Sequence, residues 1–139
     1  MRIAMIGAGY VGLVSGACFA EFGVDVTVMD VDPDKIAGLH AGRMPIYEPG
    51  LDKLVAENVR DGRLTFTTDL AQAVKGADAV FLAVGTPTRR GDGHADLSYV
   101  YAAAEQVARA ADGPLVLVTK STVPVGTGRE VQAIVRRVR

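Results

Sequence analysis

The 139-residue chain is short of several things, and each shortage excludes something. Its single cysteine, Cys18, cannot form an internal disulfide, so nothing demands an oxidising compartment. Charge is nearly balanced, with 15 Lys and Arg against 16 Asp and Glu for a net of −1. A nucleic-acid partner favours a strongly basic face, and none is offered. The two histidines, His40 and His94, stand alone, and no metal centre is expected. Only one long uncharged stretch exists, residues 3–20 behind Met1 and Arg2, in the manner of a signal peptide or a short membrane span. Glycines at 7, 9, 12 and 16 interrupt it, and it divides into a strand-like run and a helical pattern. No other segment offers a span, so the chain reads as cytoplasmic, with no membrane partner. Hydrophobic residues at 49% and charged residues at 22% are ordinary for one soluble globular domain.

Glycine is abundant instead: 16 residues of 139, above the usual share of about 7%. Five fall within the first 23 residues, between two recognisable elements. Apolar runs at Arg2–Ile6, Val24–Met29, Ala79–Val84 and Leu115–Thr119 predict strands, and all but the second are nearly continuous, as in parallel sheets covered on both faces. Asp25 and Thr27 interrupt the second, which predicts a less fully covered face. Leu64–Thr67 is more polar and reads as a strand nearer an edge. Between them lie helical patterns at Tyr10–Phe22, Pro33–Ala41 behind the cap Asp32, Gly50–Val59, Leu70–Val74 behind Asp69, Ser98–Ala111 and Thr127–Val138. Strand–helix alternation of this kind implies βαβ units and an α/β fold. The expected form is a doubly wound, Rossmann-type, mainly parallel sheet of about five strands with helices on both faces.

Gly7-Ala8-Gly9-Tyr10-Val11-Gly12 places G-x-G-x-x-G between the first strand and the first helix. Gly7 permits a tight turn, Gly9 lets backbone approach a pyrophosphate, and Gly12 lets the helix pack closely on the strand. The helix N-terminus adds N–H groups and partial positive charge for phosphates. Asp30 ends the second strand, where an acid accepts hydrogen bonds from adenosine ribose hydroxyls and repels a 2′-phosphate. NAD is therefore expected over NADP. Lys35 either reaches the same ribose or is a solvated helix charge.

Ligands of doubly wound sheets sit beyond the carboxyl ends of the strands. Two loops reach that rim: Gly85-Thr86-Pro87-Thr88 after the fourth strand, and Lys120 to Thr127, containing Ser121 and Thr122, after the fifth. Each pairs hydroxyls with a stiffening proline, which suits holding a ribose and nicotinamide.

Taken together, GAGYVGL at 7–13, PIYEPGL at 45–51, GTPT at 85–88, GDGHADL at 91–97 and KSTVPVGT at 120–127 resemble the UDP-glucose/GDP-mannose dehydrogenase family. Within that family the resemblance is to the UDP-glucose 6-dehydrogenases, and it covers the whole chain. It implies two successive NAD-dependent oxidations of a nucleotide sugar, UDP-glucose, through an aldehyde and an enzyme thioester to the uronic acid. It also implies that Tyr10, Val11 and the glycine turn meet the pyrophosphate, and Asp30 and Lys35 the ribose. Gly85, Thr86, Pro87, Thr88 and Ser121 then border the cofactor, and Thr122 positions a water near the reaction centre as well. The family's nucleophilic cysteine, catalytic lysine and asparagine, and sugar-nucleotide domain are expected beyond residue 139. On this reading residues 1–139 form an incomplete NAD-binding domain, ending before a sixth strand, of a full-length homo-oligomer.

Other residues read as structural. Cys18 shares a helical face with Val11, Val14, Ser15 and Phe22 and is expected to pack on the sheet. Asp92, His94 and Asp96 lie among glycines that do not suit a preformed metal cage, and Arg136, Arg137 and Arg139 suit a helix C-terminus. The chemistry of Tyr47 and Glu48 gives no reason for the PIYEPGL segment. A regulatory dinucleotide sensor would share the glycine turn and the acid, but has no need of loops that hold a nicotinamide. A dehydrogenase of GDP-mannose or UDP-N-acetylmannosamine remains the alternative within the family.

Overall fold

A computed structural model of the chain describes residues 1–45, 47–84, 98–119 and 132–136. In chain order the elements are β1 (Arg2–Ile6), α1 (Tyr10–Glu21), β2 (Asp25–Met29), α2 (Pro33–His40), α3 (Leu51–Arg60), β3 (Leu64–Thr67), α4 (Leu70–Val74), β4 (Ala79–Leu82), α5 (Ser98–Ala110) and β5 (Val116–Thr119). Residues 132–136 are helical, inside the span expected for the last helix. Among the described residues no helix is long and apolar enough to cross a membrane.

All five strands run parallel in the order β3-β2-β1-β4-β5. The chain winds outward from β1 through β2 to β3, then returns to build β4 and β5 on the other side. This reversal makes the carboxyl ends of β1 and β4 a topological switch point. The edge position expected for Leu64–Thr67 is where β3 lies. β5 is less covered than its apolar run suggests, with Val116 62% exposed.

Alternation along the strands separates two cores. Ile3 and Met5 of β1 face Val26, Val28, Leu64 and Phe66, beneath α1, α2 and α3. Ala4 and Ile6 face the other way, onto Val80, Leu82, Val100 and Val107, beneath α4 and α5. Asp25 is exposed and Thr27 half-buried, in keeping with the interrupted second run.

The face by which α1 joins the sheet differs from the expected one. Gly12, Leu13, Gly16, Ala17 and Ala20 are buried, whereas Cys18 is exposed, Val11 is 43% exposed and Phe22 is 84% exposed. Val14 and Ser15 are half-buried. The small residues bring the helix close: a Cβ added at Gly16 would stand 3.0 Å from Val28 Cγ2. Cys18 therefore faces outward rather than into the core.

At its other end α1 is tied down by a buried amide. Asn58 is fully buried and donates through Nδ2 to Glu21 Oε2 and the Leu54 carbonyl, both at 2.9 Å. Its Oδ1 accepts from Arg63 Nη2 at 3.1 Å, and Arg63 Nε donates to the Ala20 carbonyl at 2.9 Å. One side chain thus joins α1, α3 and the approach to β3.

Candidate cofactor site

The site grows from the end of β1. The Gly7 N–H donates to the Met29 carbonyl at 2.7 Å, and the Ala83 N–H to the Ile6 carbonyl at 2.8 Å, so the glycine turn is held between β2 and β4. Gly7 has φ +114, and a Cβ there would lie 2.5 Å from the Ala83 carbonyl oxygen. Both conformation and space thus demand glycine. A Cβ on Gly12 would collide with the Gly7 carbonyl oxygen. One on Gly9 would meet nothing within 4 Å, so the turn leaves open space on its outer side at that residue.

α1 starts unlike α2 and α4, and shares with α3 a glycine N-cap that makes no side-chain bond. Asp32 caps α2, accepting from the N–H groups of Asp34 and Lys35, and Asp69 caps α4. α1 begins at Gly9 with no side-chain cap and no acid in its first turn. Its first N–H groups and its positive dipole end therefore face the open side of the turn with no carboxylate on them. Among the described residues no side-chain cap competes with an anion there.

Asp30 lies beside this opening. Its Oδ2 accepts from the Ala8 N–H at 2.9 Å and lies 3.6 Å from Lys35 Nζ, while Oδ1 accepts from the Asp32 N–H at 2.9 Å. Its side chain is 14% exposed and that of Lys35 30% exposed. One carboxylate thus locks the glycine turn to the start of α2 and still presents an edge to solvent. Asp32 and Asp34 add exposed negative charge at the same corner. The neighbours of Asp30 in the chain, Met29 and Val31, line a cleft of about 710 Å³ on the α4 and α5 face, with Leu70 and Arg109 opposite.

The expected residues Gly7, Gly9, Tyr10, Val11, Gly12, Asp30 and Lys35 are thus gathered around one opening at the switch point. Gly85, Thr86, Pro87, Thr88, Ser121 and Thr122 lie outside the described residues, as do Asp92, His94 and Asp96. The residue chemistry of the 45–51 segment offers no reason for Glu48, yet its carboxylate acts on the Tyr10 phenol. The charge on Glu48 raises the Tyr10 phenol above its ordinary value, and desolvation acts the same way. His40 has a structural place, with Nε2 at 3.2 Å from the Phe66 carbonyl oxygen.

Comparisons with known proteins agree with this geometry. The family model for the NAD-binding domain of the UDP-glucose/GDP-mannose dehydrogenase family matches residues 1–139. A UDP-glucose 6-dehydrogenase of Rhizobium meliloti is 66% identical over 136 residues, covering 98% of this chain and 31% of the relative. Among solved structures, a UDP-glucose dehydrogenase from Pyrobaculum islandicum is 43% identical with a TM-score of 0.92, over 98% of this chain and 32% of that one. A GDP-mannose dehydrogenase from Pseudomonas aeruginosa is 35% identical with a TM-score of 0.94, over 99% and 32%. The chain therefore spans about a third of the length of the relatives it matches. With an uncapped glycine turn, an acid closing β2 and a whole-chain family match in agreement, this chain belongs to the UDP-glucose/GDP-mannose dehydrogenase family, as its NAD-binding domain.

Proposed function

We propose that this chain holds NAD for the oxidation of UDP-glucose to UDP-glucuronate, and that alone it binds the cofactor without turning over the sugar. The observation that carries the cofactor arrangement is the Asp30 carboxylate, fixed between the Ala8 N–H and Lys35 at the mouth of an uncapped helix. On this reading the N–H groups at the start of α1, from Gly9 onward, receive the pyrophosphate. The Asp30 carboxylate accepts from the adenosine ribose hydroxyls, and Lys35 steadies that carboxylate. Asp32 and Asp34 reinforce discrimination against a 2′-phosphate. The adenine lies in the cleft beside Val31.

Bound NAD supplies a hydride acceptor, and the chain's contribution is to fix where that acceptor stands. Thr86, Thr88, Ser121 and Thr122 are assigned to the nicotinamide end on the resemblance of their motifs, Thr122 also orienting a water. Covalent catalysis through a thioester needs a thiolate beside the sugar. Cys18, exposed on the outer side of α1, is not assigned that role. The UDP-glucose reading rests on 66% identity to an enzyme of that name.

The test is a chimaera in which this chain replaces the matched third of the Rhizobium meliloti enzyme. UDP-glucose-dependent NADH formation by the chimaera, with none from the 139-residue chain alone, is the expected result. Turnover of GDP-mannose but not UDP-glucose by the chimaera would contradict the substrate assignment. NADH formation by the chain alone would contradict its inactivity.

A further inference from the structure

We infer that Arg109, near the end of α5, is a cofactor-binding residue outside the glycine motif, its guanidinium plane covering one face of the adenine in the cleft beside Val31. The inference rests on the proposed NAD reading and adds to it the wall that faces the base. With the ribose at Asp30, the base it carries falls next to Val31, the following residue in the chain. Val31 is 78% exposed, a large apolar side chain left open at the mouth of the cleft. Met29 and Leu70 continue that apolar wall, and Gln106, Arg109 and Ala110 of α5 stand opposite.

Both walls are in place before any ligand arrives. Met29 is buried in the core that α4 and α5 share through Val74, Val100 and Val107, and Leu70 and Ala110 pack against the same cluster. Asp69 fixes the start of α4 by accepting from the Gln72 N–H at 3.2 Å. The core therefore sets the spacing of the walls. The Arg109 side chain is 66% exposed, yet it is oriented: Nη2 donates to Glu105 Oε1 at 2.8 Å, one helical turn back. Less ordering is then required of it on binding.

A cation in the last turn of a helix, paired with an acid four residues earlier, is favourable on any helix surface. Neither effect requires that cation to line a cleft whose facing wall is apolar. A purine is flat, uncharged and rich in π-electrons. An aliphatic side chain on one face and a guanidinium on the other are the surroundings that suit it. Arginine differs from lysine here, because its delocalised plane stacks on a ring where an ammonium offers only a point charge. Glu105 offsets part of the Arg109 charge, so the contact made is with the face of the base. Attraction for the pyrophosphate is left to the glycine turn.

The experiment is calorimetric titration of the 139-residue chain with NAD and with nicotinamide hypoxanthine dinucleotide, for wild type, Arg109→Ala and Arg109→Lys, with thermal unfolding of each. Arg109→Ala is expected to weaken NAD binding by roughly three- to tenfold, with unfolding close to wild type because the side chain is exposed. Arg109→Lys should recover less than half of that loss, since it restores the charge without the plane. The hypoxanthine dinucleotide differs from NAD at the edge of the base, so Arg109→Ala should weaken both ligands by the same factor. Wild-type affinity in Arg109→Ala, full recovery in Arg109→Lys, or a loss confined to NAD would each overturn the inference and leave the NAD reading standing. So would a loss accounted for by lower thermal stability with the affinity of the folded protein unchanged. A wild-type chain that takes up no NAD would remove the cofactor reading, and this inference with it.

Discussion

A methyl group added at Gly12 meets the Gly7 carbonyl oxygen, whereas one added at Gly9 meets nothing within 4 Å. The same residue type is needed for opposite reasons, close packing of the protein at one position and room for a ligand at the other. Gly12→Ala is therefore expected to destabilise the fold by about 1–3 kcal/mol or more, measured by denaturant unfolding. Gly9→Ala should leave unfolding nearly unchanged and weaken NAD binding about tenfold or more, since a side chain then occupies the pyrophosphate approach. Equal effects of the two substitutions on stability would contradict this division. Tyr10 provides a second residue-scale expectation. Its phenol is held above the ordinary value of 10.0 chiefly by the charge on Glu48, so the folded protein binds that proton more tightly than the unfolded chain does. The stabilisation is complete below the ordinary tyrosine value and disappears as pH rises through the elevated one. Tyrosinate absorbance attributable to Tyr10, obtained as the difference between wild type and Tyr10→Phe, should rise at lower pH in Glu48→Ala than in wild type.

Among the elements, the strands and helices were readable because their signals are local. Arg2–Ile6, Leu64–Thr67 and Leu70–Val74 fall where the apolar runs and the Asp69 cap place them. The expected strand beginning at Val24 starts at Asp25 instead, because the Val24 N–H bonds back to the Phe19 carbonyl and finishes α1. The orientation of α1 was not readable. Gly12, Gly16 and Ala17 carry almost no hydrophobic signal, yet small size decides which face can approach the sheet, and Val11, Cys18 and Phe22 remain outside. Cys18 should accordingly react with a thiol reagent in the folded protein at a rate near that of the unfolded chain, and strong protection would return it to the core. The effect of Glu48 on Tyr10 was unreadable for a different reason: the two stand 38 positions apart in the chain, and it is the packing of α3 on α1 that relates their segments. The same packing depends on Asn58, whose amide serves Glu21, Leu54 and Arg63 at once. Asn58→Ala should cost about 1–3 kcal/mol, because the donors and acceptors left behind are partly buried. A change within about 0.5 kcal/mol, the range typical of surface substitutions, would show the network to be dispensable.

For the molecule as a whole, the strand order β3-β2-β1-β4-β5 turns a set of local motifs into a site. It puts the ends of β1 and β2 side by side, so that Ala8 and Asp30 meet although 22 positions separate them, and it opens the crevice toward β4. The chain corresponds to about a third of its relatives' length. The central claim is that this domain takes up NAD and discriminates by the acid at the end of β2. Calorimetric titration of the 139-residue chain with NAD and with NADP, on wild type and Asp30→Ala, tests it most directly. Saturable binding of NAD, with NADP weaker by about tenfold or more and the difference shrinking in Asp30→Ala, is the predicted result. No heat with NAD at millimolar concentration, or equal affinity for the two cofactors in wild type, would contradict it.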